Sequence, residues 1–270
     1  MLDSSRIRVV LLDIEGTVTP IAFVHKILFS YFRKHVLEYL KTQLDSADKE
    51  TQADVLEILN IPLINTDEAG ISCPQNLDIT LSENRSTIID IAMSRISIMM
   101  DENRKDSSLK RLQGRVWKKG FESRELVSEV YPDVLRAFDR WKASQTPIFI
   151  YSSGSINAQK LLFEHTKNGS LLPYIAGHFD TSIGHKLCVA SYQTIWESIR
   201  GQLEQRFPKL AENEVLFGTD NIKEAQSAKE AGMSVFLSIR EGNEPVPSNH
   251  GFEEVDNFDR LWELYNFDKN

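Results

Sequence analysis

Four short apolar runs constrain this chain more than any other feature: VVLL at 9–12, PIFIY at 147–151, VLF at 215–217 and SVFLSI at 234–239. A strand with one wet face alternates apolar and polar residues. A run with no alternation needs cover on both faces, as strands in parallel sheets have. Helical patterns separate the later runs, at Pro132–Trp141, Ile156–His165, Tyr192–Phe207 and Ile222–Ala231. The alternation predicts an α/β fold with an open, Rossmann-type parallel sheet and helices on both sides.

Residues 21–124 have a different texture. FVHKILFSYFRKHVLEYL and STIIDIAMSRISIMM place apolar residues three and four apart, and no convincing strand interrupts them. Two prolines and a glycine mark Ile61–Thr80 as a loop. The expected organisation is a core from residues 1–20 and 125–270, with a helical insert over 21–124 after the first strand. FDRLWELYNF, near the end, reads as a closing amphipathic helix. A length of 270 residues suits one core plus one insertion.

Bulk properties exclude several classes. No apolar run approaches the roughly 20 residues needed to span a bilayer, so no membrane partner is expected. The opening MLDSSRIRVV lacks a long apolar segment and a small-residue cleavage site. Cys73 and Cys188 are too few and too distant for a disulfide framework, which fits a reducing compartment. A net charge of −8 with no dense basic run argues against nucleic acid.

In an open parallel sheet, ligands gather at the carboxyl ends of the strands. The residues that follow each run are therefore informative. Asp13, Glu15, Gly16 and Thr17 follow the first; Ser152, Ser153, Gly154 and Ser155 follow the second; Gly218, Thr219 and Asp220 follow the third, with Glu224 a turn later. Lys186 ends the segment FDTSIGHK. Asp13 and Asp220 offer hard oxygens that suit magnesium, and a cation would offset the repulsion among these carboxylates. Ser152 and Ser153 offer hydroxyl and backbone donors to an oxyanion near a helix start. Lys186 adds a point charge for phosphate oxygens. Asp13 could attack phosphorus, while Glu15 protonates the leaving oxygen and then activates water. The set reads as phosphoryl transfer.

The chain resembles the haloacid dehalogenase-like (HAD) hydrolases, whose first motif is an aspartate, one residue, a second acid and Gly-Thr; here it is DIEGT. DIEGTVTPIAFV, LQGRVWKKGF, IYSSGSINAQKLLF, GHFDTSIGHK and SYQTIW together resemble the enolase-phosphatase (acireductone synthase) family of methionine salvage, from Val9 to about Ala231. The resemblance implies a HAD-like core with a helical cap. It implies enolisation of 2,3-diketo-5-methylthiopentyl-1-phosphate and then hydrolysis to the acireductone and phosphate. It implies one magnesium ion per subunit, held by Asp13, the Glu15 position through its backbone carbonyl, and Asp220. Ser152, Ser153 and Lys186 would contact substrate. A monomer located in cytoplasm and nucleus is also implied. The chain departs from the family pattern at Ser30, in the 61–80 loop and at Gly218, where a larger apolar residue is usual and glycine adds backbone freedom.

Other readings of single residues are more structural. His185 adjoins Lys186, but sequence neighbours rarely share an orientation. His25 fits a packing or surface position on the insert. Phe29, Tyr31, Phe32 and Trp117 fit the insert's own core, and Glu224 fits a first-turn acid facing the helix dipole. The alternative function is a HAD-type phosphatase for another small phosphorylated metabolite, without enolase activity. A dehalogenase would not need the acidic loop at Asp220, and a catalytically dead binding protein would have no need of Asp13, Lys186 and Asp220 together.

Overall fold

The computed structural model describes residues 6–62 and 82–267; Cys73 and the expected loop from residue 63 onward lie outside them. The chain opens with β1 (Arg6–Ile7) and β2 (Val9–Leu12), followed by a π-helical turn at Phe23–Leu28. Next come α1 (Phe29–Asp45), α2 (Lys49–Asn60), α3 (Arg85–Asp101) and α4 (Ser107–Glu122). Helices and strands then alternate: α5 (Pro132–Ala143), β3 (Ile148–Tyr151), α6 (Ile156–Glu164), β4 (Ile175–Phe179), α7 (Val189–Gln202), β5 (Val215–Thr219), α8 (Ile222–Glu230) and β6 (Ser234–Ser238). The last elements are β7 (Glu253–Val255), the single-turn α9 (Leu261–Leu264) and β8 (Asn266–Phe267).

Six strands form a parallel sheet in the order β4-β3-β2-β5-β6-β7. The chain builds outward from β2 to β4 and then crosses back to β5, so the order reverses beside β2. That reversal opens a crevice at the strand ends, the usual ligand position in such sheets. In register, Leu12 sits between Ile150 and Gly218.

The unalternating runs are covered on both faces as expected. Val9, Leu11, Phe149, Tyr151, Phe217 and Leu237 share one core with Tyr192, Ile195 and Ile199 of α7 and with Ala225 and Ala228 of α8. On the opposite face, Phe138 of α5 stacks with Phe163, Trp141 packs against Phe258 with its ring tilted, and Phe258 meets Phe236 edge-on at 5.4 Å.

Three expectations need correction. FDRLWELYNF is not a continuous helix but a 3-10 turn, one α-turn and the strand β8, which pairs with β1. Trp141 explains the break: Phe258, Trp262 and Phe267 all lie within 6.1 Å of its ring, a packing that one helical face could not provide. The strands β4 and β7 sit at the sheet edges, where cover is partial and the doubly apolar signature is lost. Gly218 is needed for space rather than freedom: an added Cβ would lie 2.3 Å from Phe236 Cζ.

The described chain forms two compact units. One comprises the residues up to Lys26 together with those from Val127 onward, and the other is Ile27–Leu126. The second is helical, with Phe32, Val36, Leu40, Val55, Ile58, Ile88, Ala92, Leu109 and Leu112 in its core. Trp117 is buried and donates its indole N–H to the Leu28 carbonyl at 2.8 Å, while Phe29 stacks on it. Asp54, 1% exposed, accepts a hydrogen bond from Arg111 at 2.6 Å and is ion-paired with Arg115 at 2.8 Å. No described helix is long and apolar enough to cross a membrane.

Candidate active site

The DIEGT segment leaves β2 in a tight loop. The Asp13 N–H donates to the Gly218 carbonyl at 2.9 Å, which ties the ends of β2 and β5 together. The Ile14 carbonyl then accepts from the N–H groups of Thr17, Val18 and Thr19, so the chain folds back on itself. Gly16 makes this possible at φ 68°, a region that suits glycine. It is also pressed for room, since a Cβ there would lie 2.3 Å from Asp220 Oδ2.

A cavity of about 360 Å³ opens at the crevice, lined by Asp13, Glu15, Ser153, Lys186, Asp220 and Glu224, among others. Of the six site residues read from the sequence, five therefore line one cavity. The sixth, Ser152, is buried beside it at 3% exposure: its N–H continues the sheet to the Phe179 carbonyl, and its hydroxyl accepts from the Gly154 N–H. The N-cap of α6 is Ser155, whose hydroxyl accepts from the Ala158 N–H at 3.3 Å. His185 is exposed, its ring accepting from the Leu187 N–H at 3.2 Å, and it does not line the cavity. His25 is exposed.

Lys186 is the electrostatic centre. Its ammonium lies 2.7 Å from Asp13 Oδ1 and 2.6 Å from Glu224 Oε2. Burial works against the charge, but Asp13 and Glu224 outweigh it and raise the Lys186 pKa. Glu224, which also accepts from the Thr219 hydroxyl at 2.9 Å, is pushed up by burial despite its lysine partner. Asp220 is pushed up to about 8, first by burial and then by the charges of Asp13 and Glu224. Lys186 therefore does not offset the burial and the carboxylate charge that act on Asp220.

Three residues that the strand-end reading missed hold the lysine's backbone. Tyr151 donates to the Gly184 carbonyl at 2.9 Å, Ser191 to the His185 carbonyl at 2.8 Å and Tyr192 to the Lys186 carbonyl at 2.8 Å. Three successive carbonyls are thus each held by a separate hydroxyl. Burial raises the Tyr151 phenol to about 12 and the Tyr192 phenol further, so both remain donors at neutral pH. These residues sit within apolar strand and helix patterns, and their second use arises only in the folded chain. Ser238 and Asn243 were also missed; both donate to the Gly16 carbonyl, at 3.1 and 3.0 Å.

Among the described residues, no group of three acidic, histidine or cysteine side chains is arranged to hold a metal. Asp13 and Asp220 could supply two donors, and a backbone carbonyl at residue 15 would be the third. The donor set fits a hard divalent cation: the cavity gathers five carboxyl groups, and burial and neighbouring charge disfavour ionisation of Asp220 without further positive charge.

No family model matches the chain. Among solved structures, it resembles the HAD-hydrolase YfnB from Bacillus subtilis, a protein described as bound to magnesium, at 12% identity and TM-score 0.53 over 96% of this chain and 98% of that one. That likeness shows the HAD hydrolase fold. The UTR4 protein of Saccharomyces cerevisiae is closer, at 31% identity and TM-score 0.67, covering 94% of this chain and 99% of that one. The enolase-phosphatase E1 of Dictyostelium discoideum is 39% identical over 97% of this chain and 98% of its own length. The chain belongs to the enolase-phosphatase E1 family. It also matches a probable bifunctional methylthioribulose-1-phosphate dehydratase/enolase-phosphatase E1 of Vitis vinifera at 39% identity, covering 93% of this chain but only 46% of that protein.

Proposed function

We propose that the chain enolises 2,3-diketo-5-methylthiopentyl-1-phosphate and hydrolyses the resulting phosphate ester, releasing the acireductone of methionine salvage. The observation that carries this reading is the convergence of Asp13, Glu15, Lys186 and Asp220 on one cavity at the sheet's switch point. Asp13 is the nucleophile: a carboxylate oxygen attacks phosphorus, the ester bond breaks and an aspartyl-phosphate forms. Glu15 gives a proton to the departing enolate oxygen and then takes one from the water that cleaves the intermediate. Lys186 neutralises phosphate oxygens, and Ser153 orients them by hydrogen bonding. Ser152, behind the wall, supports that segment. Magnesium, one ion per subunit held by Asp13, the Glu15 carbonyl and Asp220, supplies charge stabilisation when bound.

Glu15 is also assigned the proton abstraction that begins enolisation, because it lines the same cavity and its side chain is one methylene longer than those of Asp13 and Asp220 beside it. The helical unit is proposed to act as a cap during turnover. The protein is proposed to work as a monomer in cytoplasm and nucleus.

The test supplies the diketo phosphate to purified protein with magnesium or EDTA, following inorganic phosphate and enediol absorbance together. Both signals are expected with magnesium and neither with EDTA. Phosphate without enediol would point instead to a phosphatase for another small metabolite. With Glu15→Ala, exchange of the substrate's carbon-bound proton with solvent should be lost; full retention would remove Glu15 from enolisation.

A further inference from the structure

Asn243 lies beyond β6, outside every motif discussed above. Its Nδ2 donates to the Gly16 carbonyl and to the Ser238 carbonyl, both at 3.0 Å. An amide nitrogen has two protons, and two carbonyls take them. The flip state of the side chain is therefore set by its surroundings: the oxygen must face the other way. Asn243 Oδ1 is buried there and accepts no hydrogen bond from any described residue. It lies 2.6 Å from the point a Gly16 Cβ would occupy, and Asp220 Oδ2 lies 2.3 Å from the same point.

Two acceptor oxygens thus converge beside Gly16. A buried acceptor with no donor costs about 1–3 kcal/mol, so such atoms usually have a use. The neighbouring residues indicate what it is. Glu244, Pro245 and Val246, which directly follow Asn243, line the same cavity as Asp13 and Asp220. The start of this loop is held firmly: Arg240 pairs with Asp133 at 2.7 Å and lies over the rings of Tyr131 and Phe258.

We propose that Asn243 is a positioning residue of the cation site, its Oδ1 accepting a hydrogen bond from a hydration water of the bound divalent ion while its Nδ2 fixes the turn after Glu15. Magnesium keeps several waters when bound by few carboxylates, and those waters need acceptors. Partners of this kind commonly tune metal affinity by about 10- to 100-fold. The inference rests on the magnesium reading above.

The experiment measures magnesium binding to the full-length protein by titration calorimetry, without substrate. Asn243→Ala is expected to raise the Kd by about tenfold or more. Asn243→Asp, which keeps an acceptor oxygen but loses the donor, is expected to bind at least as tightly as wild type. Ser238→Ala removes the other side-chain hydrogen bond to the Gly16 carbonyl and should change the Kd by less than about threefold. Equal affinity of Asn243→Ala and wild type would overturn the proposal, as would equal losses in Asn243→Ala and Asn243→Asp. Wild-type protein that binds no magnesium would overturn both this inference and the reading beneath it; normal wild-type binding with an unaffected Asn243→Ala would overturn this one alone.

Discussion

At the scale of single residues, the site depends on one buried cation between two carboxylates. A lysine in this position is stable only because Asp13 and Glu224 both face it, and they are equally dependent on it. Removing one member of such a group leaves uncompensated buried charge. Lys186→Met is therefore expected to lower unfolding free energy by about 3–5 kcal/mol, measured by urea denaturation without added metal. A loss under about 1 kcal/mol would show that the ions are better solvated than their burial indicates. Much of this site was legible in the sequence. Asp13, Ser153 and Asp220 each follow an apolar run, so strand polarity alone brings them to one rim. The Lys186–Glu224 pairing was not legible, because it depends on how α8 rotates against the strand ends. Asn243 was hidden for a similar reason: its bonds are to backbone carbonyls, which no residue pattern records.

At the scale of elements, the hydroxyls on residues 184–186 convert a loop into a defined mount. Two of them come from adjacent residues of α7 and one from the end of β3, so helix and strand grip the segment from different directions. Tyr192→Phe keeps the ring in the core but leaves the Lys186 carbonyl without its donor. We expect a stability loss of about 1–3 kcal/mol, together with a raised KM for the phosphate ester at nearly constant kcat. Stability loss with unchanged KM would mean that the hydroxyl serves packing alone. The same contrast explains which elements the sequence could show. β2, β3, β5 and β6 are covered on both faces and carry it in their composition. β4 and β7 have one neighbour each, and the closing segment yields to Trp141, whose aromatic neighbours override helical periodicity.

At the scale of the whole molecule, the chain contains two compact units with separate cores. Destabilising one core should therefore act first on its own amides. Leu112, fully buried in α4, is a suitable probe. Leu112→Ala should cost about 2–5 kcal/mol, and hydrogen exchange should quicken in α1–α4 while β2, β3 and β5 keep their protection. Equal acceleration throughout would show one cooperative unit instead. The helical texture of the segment after β2 was visible as a change in periodicity, whereas the strand order was not, because no local pattern says which edge of β2 the returning chain will join.

The bond from Lys186 to Asp13 joins positions 173 residues apart. Such a contact cannot exist in a partly assembled chain, since loop closure over that span is costly until the intervening strands have paired. Chemical competence is thus a late event in the life of each molecule. A nascent or refolding chain would regain its helices well before it could cleave an ester, and recovered turnover would report completed assembly rather than collapse.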